Sequence, residues 1–223
     1  MSEKWIRQKW LPVILIPIIL FIVFNTWYSL PKLESSMMQE KQNQIQDKTR
    51  IGVSILEHFY SMESEGMLSR DAAQSQAKQL IRSLRFGPHN KDYFWINTHE
   101  SVLVVHPFRP DLEGIDLMAE NEEEVYQLFS KFVNLVETEG EGFSEYRWQY
   151  YDEENREEPK ISFVTGFEPW DWIIGTGLYT DDIESTVEAQ RNINFIFIIT
   201  AMQLFLVAWV IYRLFINKYK KKQ

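Results

Sequence analysis

Two stretches of the chain carry no charged residue: 10–31, "WLPVILIPIILFIVFNTWYSLP", and 192–212, "NINFIFIITAMQLFLVAWVIY". Each is long enough to cross a hydrocarbon core of about 30 Å as a helix. Between them the pattern is that of a water-facing domain. Residues 33–60 set Leu33, Met37, Ile51, Ile55, Leu56 and Phe59 among polar neighbours, which predicts a long helix continuous with the first span. "ESEGMLSRD" interrupts it. Ser69 is placed to cap a second helix with Ala73, Ala77, Leu80, Ile81 and Leu84 on its apolar face, and "FGPHN" ends that helix.

Alternation with period two then takes over. "DYFWINT" and "VLVVHP", separated by "HES", read as a hairpin. Residues 120–138 return to helical spacing through Val125, Leu128, Phe129, Phe132, Leu135 and Val136, with a solvated acidic start at Glu120 to Glu124, until "EGEG" stops them. Three further strands are expected: "FSEYRWQYY", then "KISFVTGF" after a polar turn "DEENREE", then "DWIIGTGLY". "TDDI" has a cap residue and first-turn acids, which favour a helix start, and that helix runs into the second uncharged stretch. The predicted fold is α+β, an antiparallel sheet of about five strands with a long N-terminal helix, flanked by two transmembrane helices.

Charge adds a direction. The whole chain carries a net charge of -9, but eight of its 23 Lys/Arg lie in the ends, outside residues 30–193, against the single acid Glu3. The intervening loop therefore holds 15 basic and 31 acidic residues. Basic flanks stay on the cytoplasmic side, so both termini are expected inside and the loop outside. Trp5, Trp10, Trp27, Tyr28, Trp209 and Tyr212 stand near the span ends, as interfacial aromatics do. A cleaved signal peptide is disfavoured, because Trp27, Tyr28 and Leu30 occupy the place where small residues are needed. The expected organisation is a cytoplasmic N-terminus at 1–9, spans at 10–31 and 192–213, an extracytoplasmic domain at 32–191, and a basic cytoplasmic tail at 214–223. So acidic a loop excludes nucleic acid as a partner. There is no cysteine, hence no disulfide or thiol chemistry, and His58, His89, His99 and His106 lack ligand spacing, so neither metal nor cofactor is expected.

The order "YFWI", "HP", "GF..Y.W", "K.SF" and "F.PWDW.IGTG.Y..D" is carried by residues 93–96, 106–107, 142–148, 160–163 and 167–182. It resembles the single Cache sensor domain, of the Cache_2 type, found outside the membrane in bacterial chemoreceptors and sensor kinases. The pattern departs from the family at Asp92, where a glycine is usual, at "ENEE" before the middle helix, and at Phe163, where tyrosine is common. The resemblance implies a PAS-like sheet that captures a small organic molecule, commonly a short carboxylate, on one face, in a likewise implied homodimer.

The residues agree with that implication. In so acidic a loop an anion needs local donors, and Lys160, Arg109 and His106 are the cations or potential cations nearest the strand motifs. Alternation sends Tyr93 and Trp95 to one face and Phe94 and Ile96 to the other, and pairs Tyr146 with Trp148. The candidate ligand-binding residues are Tyr93, Trp95, His106, Arg109, Tyr146, Trp148, Lys160 and Phe163; Tyr179 and Asp182 are the candidates for passing a signal to the second span. Taken singly, the tryptophans are ordinary core residues and Gly175 and Gly177 mark a bulge or a close strand approach. Expected partners are a small organic acid, the bilayer, and a signalling protein or a following output domain of a longer receptor. The competing class is an anchored enzyme using His106 with Glu145 or Asp171; no elbow serine, metal motif or placed carboxylate pair supports it.

Overall fold

The computed structural model of the chain describes residues 16–87, 90–117 and 122–220. The expected N-terminus at 1–9, residues 10–15 of the first span, His89, Glu120 of the acidic helix start, and residues 221–223 lie outside them. The chain divides into two compact units, one of Met38–Asp181 and one holding Met1–Met37 with Asp182–Gln223.

In the first unit, helices and strands fall where periodicity changes. Helix α1 (Leu30–Ser64) is followed by α2 (Arg70–Ser83), whose Ser69 accepts a hydrogen bond from the Ala72 amide as a cap. The hairpin β1 (Phe94–Thr98) and β2 (Leu103–Val105) comes next, then α3 (Glu123–Glu139), β3 (Glu141–Tyr150), β4 (Glu153–Phe167) and β5 (Trp172–Tyr179). The five strands form one antiparallel sheet in the order β2-β1-β5-β4-β3. The last strand in sequence is therefore the central one.

Period-two alternation gives the sheet two apolar faces. On one, Phe94, Ile96, Trp172 and Ile174 pack with Leu56 of α1 and Ala73, Ala77 and Ile81 of α2, while Ile161 and Phe163 pack against Ile45. On the other, Tyr93, Trp95, Trp148, Val164 and Ile173 meet Phe129, Phe132, Val133 and Val136 of α3. Two expectations shift by register. The face of α1 that turns inward carries Ile45, Thr49, Gly52 and Leu56, at helical spacing, whereas Ile51 is 59% exposed. Leu80 likewise faces out of α2. The polar "DEENREE" is strand rather than turn: only Tyr151 and Asp152 make the reversal, Tyr151 having a positive φ of 52°, and Glu153 already pairs with Tyr150.

In the second unit, residues 16–24 are helical, pass through a π-helical turn at Asn25–Ser29 and continue into α1, while α4 (Asp181–Lys220) runs unbroken from the end of β5. The helical stretches Ile16–Ser64 and Asp181–Leu214 are each long and apolar enough to cross a membrane. Asn194 donates from Nδ2 to Asn25 Oδ1 at 3.1 Å, and Phe21 meets Phe197 with ring centroids 5.4 Å apart. A side-chain amide pair between two apolar helices satisfies groups that lipid cannot.

Candidate functional site

The α3 face of the sheet holds the site. Because strand residues two apart share a face, β4 sends Lys160, Ser162 and Val164 toward α3. From β1 and its approach come Tyr93 and Trp95, from β3 Ser144, Tyr146 and Trp148, and from β5 Tyr179. His106 follows the last residue of β2. Tyr93, Trp95, His106, Tyr146 and Trp148, together with Leu128, Phe129 and Phe132 of α3, line about 170 Å³ of non-atom space that is not sealed from solvent and holds no position roomy enough for a water molecule.

Two buried polar groups stand at this aromatic space, His106 in its lining and Lys160 behind Tyr93. Lys160 is 2% exposed, and its Nζ donates to the Tyr93 hydroxyl at 2.9 Å while lying 5.0 Å and 5.7 Å from the ring centroids of Tyr179 and Trp95. Burial removes the ammonium's hydration and pushes its pKa down to about 7, against the opposing pull of the Asp92 charge. His106, equally buried, is held from both sides. Its Nδ1 accepts the Arg109 amide at 2.9 Å, which leaves the proton of the neutral ring on Nε2, and its own amide donates to Glu113 Oε1 at 2.6 Å. Burial, with the charges of Lys160, Arg109, Arg82 and Arg85, holds its pKa well below the usual histidine range. The ring is therefore neutral and packs between Tyr93 and Trp148, at 4.9 Å and 5.5 Å.

The tyrosines keep their protons. Burial raises the pKa of Tyr93, Tyr146, Tyr151 and Tyr179. Tyr146 shares a hydrogen bond with Ser162 at 2.8 Å, and Tyr179 donates to the Gln149 carbonyl. Ser144 Oγ is the one buried side-chain polar atom with no hydrogen-bond partner among the described residues. Chemically the enclosure offers one amine, one imidazole N–H and several hydroxyls, a donor set suited to an oxyanion with a short apolar remainder.

Of the eight candidates, Tyr93, Trp95, His106, Tyr146 and Trp148 line the space and Lys160 reaches it through Tyr93. Two do not belong. Arg109 turns its guanidinium to Asp111, in a fork of 2.9 to 3.1 Å, and to Glu122 at 3.5 Å; only its backbone serves the site, through His106. Phe163 faces α1, stacked on Phe143 at 4.8 Å and packed with Ile45, because it stands an odd number of residues from Lys160. Tyr179 lies under Lys160, whereas Asp182 stands in the first turn of α4. Neither Glu145 nor Asp171, the carboxylates considered with His106, lines the space.

Sequence reading missed three contributors. Asp92 is buried, accepts from the Tyr151 hydroxyl at 2.7 Å, and is the carboxylate whose charge acts on Lys160. Glu113 takes both Arg82 of α2, at 2.5 and 2.7 Å, and the His106 amide, so it ties the histidine to the helix layer. Tyr151 closes the far side against Phe108 and Tyr179. Only Asp92 left a trace, as the departure from the glycine usual before the "YFWI" run.

A family model described as "Cache domain" matches residues 25–203. The methyl-accepting chemotaxis protein McpP of Pseudomonas putida is 31% identical over 210 residues, 93% of this chain and 37% of that receptor. The sensor histidine kinase MctS of Rhizobium johnstonii is 25% identical over 218 residues, 88% of this chain and 45% of the kinase. The chain thus spans less than half the length of either relative. Among solved structures, one described as the structural basis for carboxylic acid recognition by a Cache chemosensory domain superposes with a TM-score of 0.59 at 33% identity, over 66% of this chain and 98% of that one. A periplasmic sensor domain of a chemotaxis protein gives 0.58 at 35% identity, over 65% and 99%.

Proposed function

The chain belongs to the Cache domain family, and from that premise we propose that it is the membrane-anchored input module of a sensory protein, binding a short organic carboxylate in the enclosure around Lys160. The observation that carries this reading is the buried Lys160 ammonium, hydrogen-bonded to Tyr93 and facing an aromatic space with no carboxylate in ion-pair contact among the described residues. A buried ammonium without a countercharge is costly, and an incoming carboxylate supplies one. The neutral His106, through Nε2–H, and the Tyr93 and Tyr146 hydroxyls add donors, while Phe129 and Phe132 confine the apolar end. Recognition of a carboxylic acid by a relative 33% identical to this chain supports the same ligand class.

In this reading residues 10–31 and 192–213 span the bacterial inner membrane, 32–191 lie outside it, and 1–9 and 214–223 lie inside. The binding step parts the rings. Tyr179, between Lys160 and the end of β5, then passes the change through Asp181 and Asp182 to α4, which extends about 16 Å to Asn192. Two such modules pair as a homodimer, and a cytoplasmic output domain or a partner protein receives the signal. Ligand biases that signal only through different affinities for two states of the sheet.

A thermal-shift series tests this on the full chain in detergent, with short mono- and dicarboxylates and amino acids. At least one short carboxylate is expected to raise the melting temperature, by about 2–3 kcal/mol of linkage at a hundredfold excess over Kd. Lys160→Met is expected to abolish that rise while leaving the unliganded protein folded. An undiminished rise in the variant removes Lys160 from the site.

A further inference from the structure

Resting on that carboxylate-binding role, we propose that the enclosure takes its ligand together with one proton, Lys160 being the residue that accepts it and so the one that makes affinity depend on pH. The geometry comes first. Lys160 lies along the central strand: a Cβ on Gly177 would lie 2.9 Å from the lysine Cε, and Nζ lies 4.2, 5.0 and 5.7 Å from the ring centroids of Tyr93, Tyr179 and Trp95. The buried head does not reach water, the usual relief for a lysine stem inside a protein. Its hydrogen bond goes to a neutral hydroxyl, Tyr93.

Groups facing Lys160 from every packed element leave it as the one that changes charge near neutrality. Tyr146 of β3, Tyr179 of β5, Tyr93 before β1 and Tyr151 of the β3–β4 turn remain protonated, since burial raises each. His106, after β2, stays neutral, and the cations Arg82, Arg85 and Arg109 act on it to keep it so. Asp92 bears on Lys160 through space; burial raises its own pKa, while the Tyr151 hydrogen bond and the charges of Lys160, Lys41 and Lys48 hold it down. Leu128, Phe129 and Phe132 of α3 bring no charge. With its pKa at about 7, Lys160 is largely a free amine on the alkaline side of neutrality. Binding then reads: amine, solvent proton and carboxylate in; ammonium–carboxylate pair out. Charge balances, so a dry aromatic space accepts an ion by closing a neutral pair.

Isothermal titration of the full chain in nanodiscs with sodium acetate and sodium propionate, near pH 8.5 and near pH 6, in buffers of different ionisation enthalpy, counts the protons. The expected result is uptake approaching one proton per ligand at the higher pH and close to none at the lower, with Kd rising about tenfold per pH unit above neutrality. Lys160→Arg, cationic throughout, is expected to flatten the profile. Because that variant can fail to fold, the wild type labelled at lysine Cε supplies a second reading by NMR, with a ligand-free midpoint near 7 expected. Binding without proton uptake, or a midpoint near the ordinary lysine value, overturns the coupling and leaves the carboxylate site standing. Absence of binding by both acids at both pH values overturns the two together.

Discussion

Lys160 and His106 mark stability in the same direction, in different pH windows. The folded-state pKa of Lys160 lies at about 7, below the 10.5 of an unhindered lysine. Between those values the unfolded chain binds more protons than the folded one, so stability rises with pH across that window. Without added ligand, urea midpoints are expected to increase from pH 7 to pH 9 in the wild type and to stay level in Lys160→Met; a level wild type contradicts the buried cation. His106, also depressed, works at the acid end. Its burial penalty is absent above its ordinary 6.5 and appears as pH falls below that value, so acidification past 6.5 is expected to weaken the fold. At this scale much of the site was legible, because parity along a strand decides which side chains share a face: 93 with 95, 146 with 148. Parity places Phe163, three residues from Lys160, on the other face, where the structure has it. The roles of Arg109 and Glu113 were not readable, and Asp92 showed only as a departure from the family pattern. Their roles depend on partners met only in the fold, Glu113 joining Arg82 and His106 from different layers.

Strands and helices were legible where periodicity was strong, and misread where composition spoke louder than pairing. Six acids and bases in "DEENREE" suggested a turn, yet the ladder between β3 and β4 continues through them, with Gln149 opposite Glu157 and Arg156 lying over the Tyr150 ring at 3.9 Å. The inward face of α1 was misplaced because Thr49 and Gly52 carry no hydrophobic signal. The central strand gives the sharpest element-level test. Gly175 is paired directly with Trp95, and a Cβ there would come within 2.4 Å of the indole. Gly175→Ala must push Trp95 toward Phe132, into the ligand space. It is expected to cost about 1–3 kcal/mol of stability in chemical denaturation, with ligand-induced stabilisation lost. A variant as stable and responsive as the wild type would show that the strands tolerate the extra methyl and that Trp95 does not bound the site.

On the scale of the whole chain, sequence alone supplied the division into an acidic folded domain and two uncharged helical stretches, since charge is conspicuous in its absence. It could not supply how tightly the eight side chains lining the aromatic space meet. The chain belongs to the Cache family, and its middle strand leads, within two residues of Tyr179, into a helix apolar enough to enter a membrane. The most direct measurement is a crystal structure of the chain with the carboxylate that stabilises it most. The predicted result is a carboxylate group within about 3 Å of Lys160 Nζ, its remainder against Phe129 and Phe132, and the aromatic side chains moved apart to admit it. A carboxylate bound instead at Arg109, with Lys160 still bonded only to Tyr93, would contradict it.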